Sequence, residues 1–253
     1  MIQQGRRHRP YHLRMTPAPT AAPPVPTPID RAFFARDAET VARALVGATL
    51  AVAGTGGVQR VRIVETEAYV GAHDLACHAA RGRTARTAVL FGPAGHAYVY
   101  LIYGLHHLLN VVTGPAGDAQ AVLLRAAEVV RPDRALDVAA CRGPGLLARH
   151  LGITRADDGH NVCPTDAPAG ARLWFEDGTP PAHLAASARI GVDYAGPWAA
   201  APLRFFDPDS RAVSRARPSR PAARASAERG SRQGIAGRPS DRRGGDNEPP
   251  AHR

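Results

Sequence analysis

The stretch Val58–Val70, VQRVRIVETEAYV, predicts a long β-strand, because it is rich in β-branched residues and alternates with a period of two. The alternation predicts a strand with one face formed by Val61, Ile63, Glu65, Glu67 and Tyr69. A face that changes from apolar to acidic is expected where a strand leaves the core and enters a pocket. A carboxylate there can act as a general base, so both glutamates are candidates for chemistry. The alternative is a strand end whose acids are solvated or paired with Arg60 or Arg62.

Short predicted elements flank this strand on both sides. Upstream, DAETVARALVGATL predicts a helix over Asp37–Leu50 with Asp37 as its N-cap. Downstream, HAYVYLIY and LHHLLNVVT predict a β-hairpin whose tip lies near Tyr103–Leu105. The other predicted elements are a short strand ending at Gly54, a helix at Gly143–Gly152, and strands at Ala121–Val129, Leu173–Glu176, Ser187–Val192 and Leu203–Phe206. Because these strands follow one another too closely for βαβ crossovers, the sequence predicts a single α+β domain with a mostly antiparallel sheet.

Charge is distributed unevenly along the 253 residues, whose formal net charge is +10. Residues 1–29 hold four arginines and no acid, residues 216–253 hold nine arginines and four acids, and residues 30–215 are close to neutral. Both ends are also rich in Pro, Gly and Ala, so we expect a disordered basic arm at 1–28, a folded domain at 29–215 and a disordered tail at 216–253. Basic arms suit a polyanionic partner, because Arg–phosphate contacts release counterions. The alternative is solubilising tails without a specific partner.

The absence of lysine excludes several functions, because all 32 basic residues are arginine. A Walker A phosphate loop, a pyridoxal Schiff base and any lysine nucleophile are ruled out. No apolar run reaches the ~18 residues of a membrane span, so no membrane association is expected, and the basic N-terminal stretch lacks the apolar segment of a secretory signal. The three cysteines are too few and too scattered for a disulfide framework, which indicates a reducing, cytoplasmic compartment.

Aromatic residues and histidines cluster around the predicted hairpin. Tyr98, Tyr100 and Tyr103 fall within six residues, and such rings beside a pocket can stack on a planar ligand such as a nucleobase. The alternative is ordinary core packing of a β-rich segment. A zinc site requires three or four convergent ligands, and the spacing of His73, Cys77 and His78 does not supply a regular set, so no metal is expected.

Several blocks of the sequence form an ordered set of motifs. The most specific block is RIVETEAY at Arg62–Tyr69. The others are Asp74–His78 (DLACH), Ala97–Gly104 (AYVYLIYG), Asn110, Ala121–Arg125 (AVLLR), Gly143–Leu146 (GPGL), Arg189–Val192 (RIGV) and Pro202–Phe205 (PLRF). Together, in this order, these blocks resemble the 3-methyladenine (alkyladenine) DNA glycosylase family. The resemblance covers roughly residues 28–215. It implies a glycosylase domain with a curved, open-barrel-like antiparallel sheet, surrounding helices and a protruding β-hairpin.

The resemblance also implies excision of alkylated or deaminated purines, such as 3-methyladenine, hypoxanthine and ethenoadenine, from duplex DNA by base flipping. Glu67 matches the general base, which activates a water to attack the sugar C1′, and Arg125 and the backbone carbonyl of Ile190 match contacts to that glutamate and water. Asn110 matches a gate against the amino group of normal guanine. Tyr103 matches the residue that fills the gap left in the duplex, and its place at the predicted hairpin tip agrees with that role. The side chains that match the stack around the flipped base are Tyr69, His78 and Tyr100.

Further expectations follow from the same resemblance. Glycosylases that also cut the strand use an amine nucleophile, so a chain without lysine is expected to be monofunctional, with water as nucleophile and an abasic site as product. We expect no metal or organic cofactor, duplex DNA with damaged purines as the partner, a monomer, and activity at the bacterial nucleoid in the cytoplasm. The family's eukaryotic members are more aromatic where this chain has His106 and His107, and these two histidines can alter lesion preference or pH dependence.

Two other functions remain open at this stage. One is a non-catalytic nucleic-acid-binding module on the same scaffold, since a fold does not fix a function. Glu67 together with Arg125 argues against it, because binding alone does not require a carboxylate facing phosphates. The other is an unrelated hydrolase of small molecules. It is distinguished by Tyr103, which must be exposed to act as a wedge and would be buried in a small-molecule pocket.

Overall fold

The computed structural model describes residues 27–129, 140–163 and 170–214. Apart from Thr27 and Pro28, the predicted arm at 1–28 lies outside the described residues, and so does the predicted tail at 216–253. No helix in the described part of the chain is long and apolar enough to cross a membrane.

One antiparallel sheet of eight strands organises the described residues. The strands are β1 Thr49–Gly54, β2 Gly57–Tyr69, β3 Ala97–Ile102, β4 His106–Thr113, β5 Gln120–Val129, β6 Leu173–Glu176, β7 Ala185–Ser187 and β8 Arg204–Phe206. Their order is β3-β4-β5-β2-β1-β6, and β8 pairs with both β2 and β7. Every pairing is antiparallel, and the sheet curls into a half-barrel with few helices, so the predicted α+β class is confirmed.

The α-helices in the described residues are α1 Arg31–Phe34, α2 Ala38–Leu45 and α3 Pro144–His150. Asp37 caps α2 as predicted, its side chain accepting a hydrogen bond from Thr40 N at 2.8 Å. The predicted extension of this helix to Leu50 was wrong. Gly47 has φ +102°, and a Cβ there would lie 2.4 Å from the carbonyl oxygen of Thr179, so this close backbone approach requires glycine and ends the helix.

The main core lies between α2 and one face of the sheet. Phe34, Leu45, Ile63, Leu124 and Phe175 are all fully buried there. Each such side chain stabilises the fold by roughly 1.5–3 kcal/mol relative to an exposed position. The core therefore holds β2 and β5, the two central strands, firmly enough to position side chains on the opposite face.

A pair of irregularities in β2 and β5 corrects the predicted strand face. The Cα pairing of these strands skips Val64 on β2 and Arg125 on β5, so the register shifts on both sides of Glu65. Val61 and Ile63 belong to the main core, whereas Glu65 contacts Arg125 on the other face of the sheet. The prediction that all five residues share one face was therefore wrong, because strict alternation does not continue through a β-bulge.

The bulge exchanges the two faces for the rest of β2. Beyond it, Ala68 joins the main core, and the Thr66 hydroxyl donates to the carbonyl oxygen of Ala42 in α2 at 2.8 Å. Glu67 and Tyr69 consequently lie on the face turned away from α2. The transition from apolar to acidic that suggested a pocket is thus produced by a change of face.

The predicted strand at Ser187–Val192 is also corrected, because β7 ends at Ser187. Arg189 binds Asp74 through two nitrogen–oxygen contacts, and Ile190 donates its backbone N–H to a side chain. Gly191 then adopts φ +79°. This segment uses its polar groups to bind side chains of the site, so it cannot continue a strand ladder.

Candidate active site

A cavity of about 460 Å³ opens on the face of the sheet that carries Glu67 and Tyr69. This volume is within the range of small-molecule sites. Its walls come from β2, β3, β4, β5, the 3₁₀ helix His78–Arg81, the start of α3 and the segment after β7. The residues that line it include Tyr69, His78, Arg86, Tyr98, Tyr100, Tyr103, His106, Asn110, Arg125, Ile190 and Tyr194.

Glu67 lies directly behind the wall of this cavity and is fully buried. Its Oε1 accepts a hydrogen bond from Ile190 N at 2.8 Å and lies 3.1 Å from Arg125 Nη1. Its Oε2 accepts a hydrogen bond from the Tyr69 hydroxyl at 3.0 Å. All three partners line the cavity, so they fix the carboxylate at its edge. The backbone N–H group of Ile190 makes this contact with Glu67. The contact between the Ile190 carbonyl and a water, which the family resemblance implies, stays a prediction.

Arg125 joins Glu67 to a second buried carboxylate. Its Nε donates to Glu65 Oε1 at 3.0 Å, and Glu65 also binds Arg204 Nε at 2.6 Å. Ser214 donates to Glu65 twice, from its hydroxyl at 2.8 Å and from its backbone N–H at 2.6 Å. Burial alone would lower the pKa of Arg125, but the nearby carboxylates of Glu67 and Glu65 outweigh it and raise that pKa. The guanidinium therefore stays positively charged beside Glu67.

The alternative partners considered for the two glutamates are engaged elsewhere. Arg60 binds Glu176 at 2.9 Å, and Arg62 binds Glu128 and Asp207. Among the described residues, the arginines that pair with Glu65 and Glu67 are Arg125 and Arg204 instead.

A buried ion pair supports the other side of the site. Arg189 contacts both carboxylate oxygens of Asp74, and both side chains are fully buried. Arg189 also donates to the carbonyl oxygen of Ala68 at 2.8 Å, and its guanidinium carbon lies 4.8 Å from the centre of the Tyr69 ring. Because Ile190 directly follows Arg189, this pair fixes the N–H group that binds Glu67 as well as the ring that faces the cavity.

Three aromatic side chains form one wall of the cavity. The His78 ring lies 4.5 Å from the Tyr100 ring between centroids, with an interplanar angle of 73°, and Tyr98 lies 5.5 Å from Tyr100. His78 Nδ1 and the Tyr98 hydroxyl form a hydrogen bond of 2.9 Å. Burial, together with Arg86 and Arg81, lowers the pKa of His78, so the imidazole is neutral at neutral pH. Burial raises the pKa of Tyr98 to about 12.

Tyr69 completes this aromatic surface from β2. Burial raises its pKa well above the ordinary value of 10.0, and the Glu67 carboxylate adds to the shift. The hydroxyl is therefore protonated and donates to Glu67 at neutral pH. Its ring and that of Tyr100 both face the cavity, where they offer π surfaces to a planar ligand.

Asn110 lies deep in the cavity wall, 4% exposed, on β4. Its Nδ2 donates to the backbone carbonyl oxygen of Tyr98 at 3.1 Å, across the β3–β4 pairing. This bond holds the amide in one orientation. Asn110 therefore presents a fixed polar group to anything that enters the cavity.

Tyr103 lies at the tip of the β3–β4 hairpin, as the sequence predicts, and is 87% exposed. Leu105 beside it is 76% exposed. The turn is closed by a hydrogen bond from Leu105 N to Ile102 O, and both Tyr103 and Gly104 have positive φ, at 53° and 69°. A bulky residue at positive φ is strained, and Gly or Asn is preferred at this place of such a turn. The turn therefore does not account for a tyrosine here.

The two histidines that follow this tip differ in position. His106 lines the cavity and packs against Gly145 at the start of α3, where an added Cβ would lie 3.1 Å from the His106 Cβ. His107 is half-buried on the next position of β4 and is not among the residues that line the cavity.

Several residues of the site have no individual role among the expectations from the sequence. Asp74, Arg189 and Arg204 belong to the blocks that resemble the family but have no assigned role. Tyr194 and Ser214 lie outside these blocks. The signal for the first three was the presence of charged residues inside otherwise apolar blocks, since buried charges are usually paired. In the part of the chain that the structure describes, no group of three or more His, Cys, Asp or Glu side chains is placed to hold a metal ion.

Comparisons with known proteins identify the family of the chain. Residues 32–211 match the family model described as methylpurine-DNA glycosylase. A relative from Myxococcus xanthus is 52% identical over 196 residues, which cover 75% of this chain and 95% of the relative. One from Anaeromyxobacter dehalogenans is 51% identical and covers 78% and 90%, and one from Streptomyces avermitilis is 41% identical and covers 76% and 93%. Each of the three bears the name "Putative 3-methyladenine DNA glycosylase".

The family match spans the whole sheet and both sides of the cavity, including Glu67, Arg125 and Ile190. The sequence resemblance is thereby confirmed over most of the described residues. On this basis the chain belongs to the methylpurine-DNA glycosylase family and is a DNA glycosylase.

Proposed function

We propose that the chain flips alkylated and deaminated purines, including 3-methyladenine, hypoxanthine and ethenoadenine, out of duplex DNA and hydrolyses their N-glycosidic bond. The enzyme acts as a monomer, without a cofactor, and leaves an abasic site. One observation carries the proposal. Glu67 is a buried carboxylate held by Arg125, Ile190 and Tyr69 at the edge of an aromatic cavity, below a hairpin that exposes Tyr103.

The reaction breaks the bond between C1′ and the base nitrogen and forms a bond between C1′ and a water oxygen. Glu67 accepts the proton of the attacking water, and its negative charge stabilises the positive charge that develops on the sugar. Arg125 and the carbonyl group of Ile190 orient the water. Because Ile190 N–H, Arg125 and the Tyr69 hydroxyl already hold the carboxylate, little reorganisation is needed when the sugar arrives.

The aromatic wall supports a broad range of lesions. Tyr69, His78 and Tyr100 present ring surfaces, and stacking depends little on the identity of a base because every base has a π face. A neutral His78 avoids placing a further cation beside a base that alkylation has made positive. Recognition by stacking therefore accommodates both methylated and deaminated purines.

Two residues of the hairpin favour damaged bases over normal ones. Tyr103, exposed at the tip, fills the gap that the flipped nucleotide leaves, which offsets an unstacking cost of a few kcal/mol. Asn110, held by the carbonyl oxygen of Tyr98, collides with the exocyclic amino group of normal guanine. A collision of this kind rejects an abundant undamaged base without a contact to each lesion.

The product follows from the amine content of the chain. Strand cleavage by a glycosylase requires an amine that forms a Schiff base with the sugar, and the chain has no lysine. Only the α-amino group remains, and it belongs to the N-terminal arm that the sequence predicts to be disordered. Water therefore takes the place of the amine, and the phosphodiester backbone stays intact.

The test is base release under single-turnover conditions from duplexes that carry one hypoxanthine, ethenoadenine or 3-methyladenine. We expect release of each base, strand breaks only after alkali, and no covalent adduct trapped by borohydride. Strand breaks without alkali would overturn the monofunctional assignment. Binding of all three duplexes without release of any base would favour a non-catalytic binding module.

A further inference from the structure

We infer that Glu65 is a positioning residue for the reaction and acts on Glu67 through Arg125. The inference rests on the proposed role of Glu67 as the catalytic carboxylate. Glu65 is fully buried, and its hydrogen-bond partners are Arg125, Arg204 and Ser214. Of these partners only Arg125 lines the cavity, so Glu65 acts on the site through Arg125.

The geometry of Arg125 transmits the effect. Its Nε donates to Glu65 Oε1 at 3.0 Å, and its Nη1 lies 3.1 Å from Glu67 Oε1. A guanidinium group is rigid and planar, so fixing Nε on one carboxylate determines where Nη1 lies for the other. Glu65 thereby sets the position of the cation that holds Glu67.

Glu65 is itself held from three separate parts of the chain. Its donors are Arg125 on β5, Arg204 on β8, and both the hydroxyl and the backbone N–H of Ser214. Ser214 also accepts a hydrogen bond from Arg125 Nη2 at 3.3 Å. The bulge at Glu65 is what directs this side chain toward β8, because without the change of face it would lie in the core.

Charge gives a second reason for the role. Glu65 and Glu67 balance Arg125 and Arg204 in a region where all four side chains are at most 10% exposed. If Glu65 loses its charge, Glu67 is the only one of the two carboxylates left to neutralise Arg125. We expect Arg125 then to pair more closely with Glu67 and to screen the negative charge that stabilises the sugar.

The experiment compares Glu65→Gln with Glu176→Gln. Glu176 is a matched control because it is 2% exposed, carries an ion pair with Arg60 and a hydrogen bond from Trp174, and lies on β6, away from the cavity. Each variant is assayed on methylated duplex DNA in excess enzyme. The readouts are the maximal rate of base release, the enzyme concentration for half-maximal rate, and the melting temperature.

We expect Glu65→Gln to lower the maximal rate about 10- to 100-fold, with an unchanged half-maximal concentration, because a displacement of about 1 Å in a catalytic group has an effect of this size. Glu176→Gln is expected to keep the wild-type rate at temperatures below its melting point. A rate for Glu65→Gln equal to that of Glu176→Gln would overturn the inference. A rise of similar size in the enzyme concentration for half-maximal rate would also overturn it, since it would indicate a role in DNA binding.

Two further variants keep the outcome decisive. Ser214→Ala removes one donor to Glu65 but no charge, and we expect a smaller fall of the maximal rate, about 3- to 10-fold. If Glu65→Gln does not fold, an unchanged rate for Ser214→Ala overturns the inference. Glu67→Gln separates the two proposals: wild-type rates in that variant would refute the proposed function, whereas loss of activity in Glu67→Gln with full activity in Glu65→Gln would refute only this inference.

Discussion

Replacing Tyr103 with asparagine is expected to stabilise the protein while it slows base release. Tyr103 has φ 53° and is 87% exposed, so its side chain contributes little to the core while its backbone is strained. A left-handed conformation costs a bulky residue about 1–2 kcal/mol, and asparagine relieves part of this strain. A gain of about 0.5–1 kcal/mol would raise the melting temperature by roughly 1–4 °C for a protein of this size.

The same substitution is expected to slow base release, because asparagine lacks the aromatic ring that fills the gap in the duplex. Filling the gap in the duplex is worth a few kcal/mol, and about 2 kcal/mol corresponds to roughly 30-fold in rate. We therefore expect base release from duplex DNA to slow by about 10- to 100-fold in Tyr103→Asn. On single-stranded DNA, where no stacked partner has to be replaced, the loss should be much smaller.

The assay measures single-turnover release from duplex and single-stranded substrates, with thermal unfolding of the same preparations. Tyr103→Phe is the control, since it keeps the ring and removes only the hydroxyl. Wild-type release from duplex DNA by Tyr103→Asn would refute the wedge role. A melting temperature well below the wild-type value would refute the argument from strain.

Three other predictions concern buried groups of the site. Asp74→Asn leaves Arg189 buried without its counter-charge, so we expect unfolding in urea to show a loss of about 3–5 kcal/mol, against less than about 0.5 kcal/mol for Glu39→Gln in an exposed pair. Asn110→Ser removes the group expected to collide with guanine, so release of undamaged guanine from duplex DNA should rise. Equal release of guanine by wild type and variant would contradict the proposed exclusion of guanine by Asn110. The pKa of His78 is lowered from 6.5 in the folded state, so the unfolded chain binds more protons and stability should fall as the pH drops below 6.5. Urea unfolding of His78→Asn between pH 7 and 5 should show a smaller fall in the free energy of unfolding than the wild type. An identical fall in both proteins would contradict a lowered pKa of His78 in the folded state.

Local sequence patterns were sufficient to predict most of the strands and the hairpin. The alternation in Val58–Val70 and the run AYVYLI correspond to β2 and β3, and the turn at Tyr103 lies where the break in that pattern indicates. These elements depend on neighbours in sequence and on β propensity, which a single sequence displays directly. The family resemblance, confirmed by the comparisons, then identified which side chains to place around one cavity.

The structural features that the sequence did not predict depend on contacts between distant parts of the chain. Glu65 receives its donors from Arg204 and Ser214, which lie 139 and 149 positions away, and no local pattern connects them. The helix after Asp37 ends early because Gly47 approaches the backbone of Thr179. The bulge at Glu65 leaves the alternation of residue types almost unchanged while it exchanges the faces of the strand. Each of these outcomes is decided by tertiary packing and not by propensity.

We propose that Glu67, held by Arg125 and Ile190, is the carboxylate that drives base release. The most direct test is single-turnover release of methylpurines from duplex DNA by Glu67→Gln, measured together with its affinity for the same duplex. We expect a loss of about 10²- to 10⁴-fold in rate, which is the usual effect of removing a general base, with affinity within a few-fold of wild type. A Glu67→Gln variant that releases methylpurines at nearly the wild-type rate would contradict it.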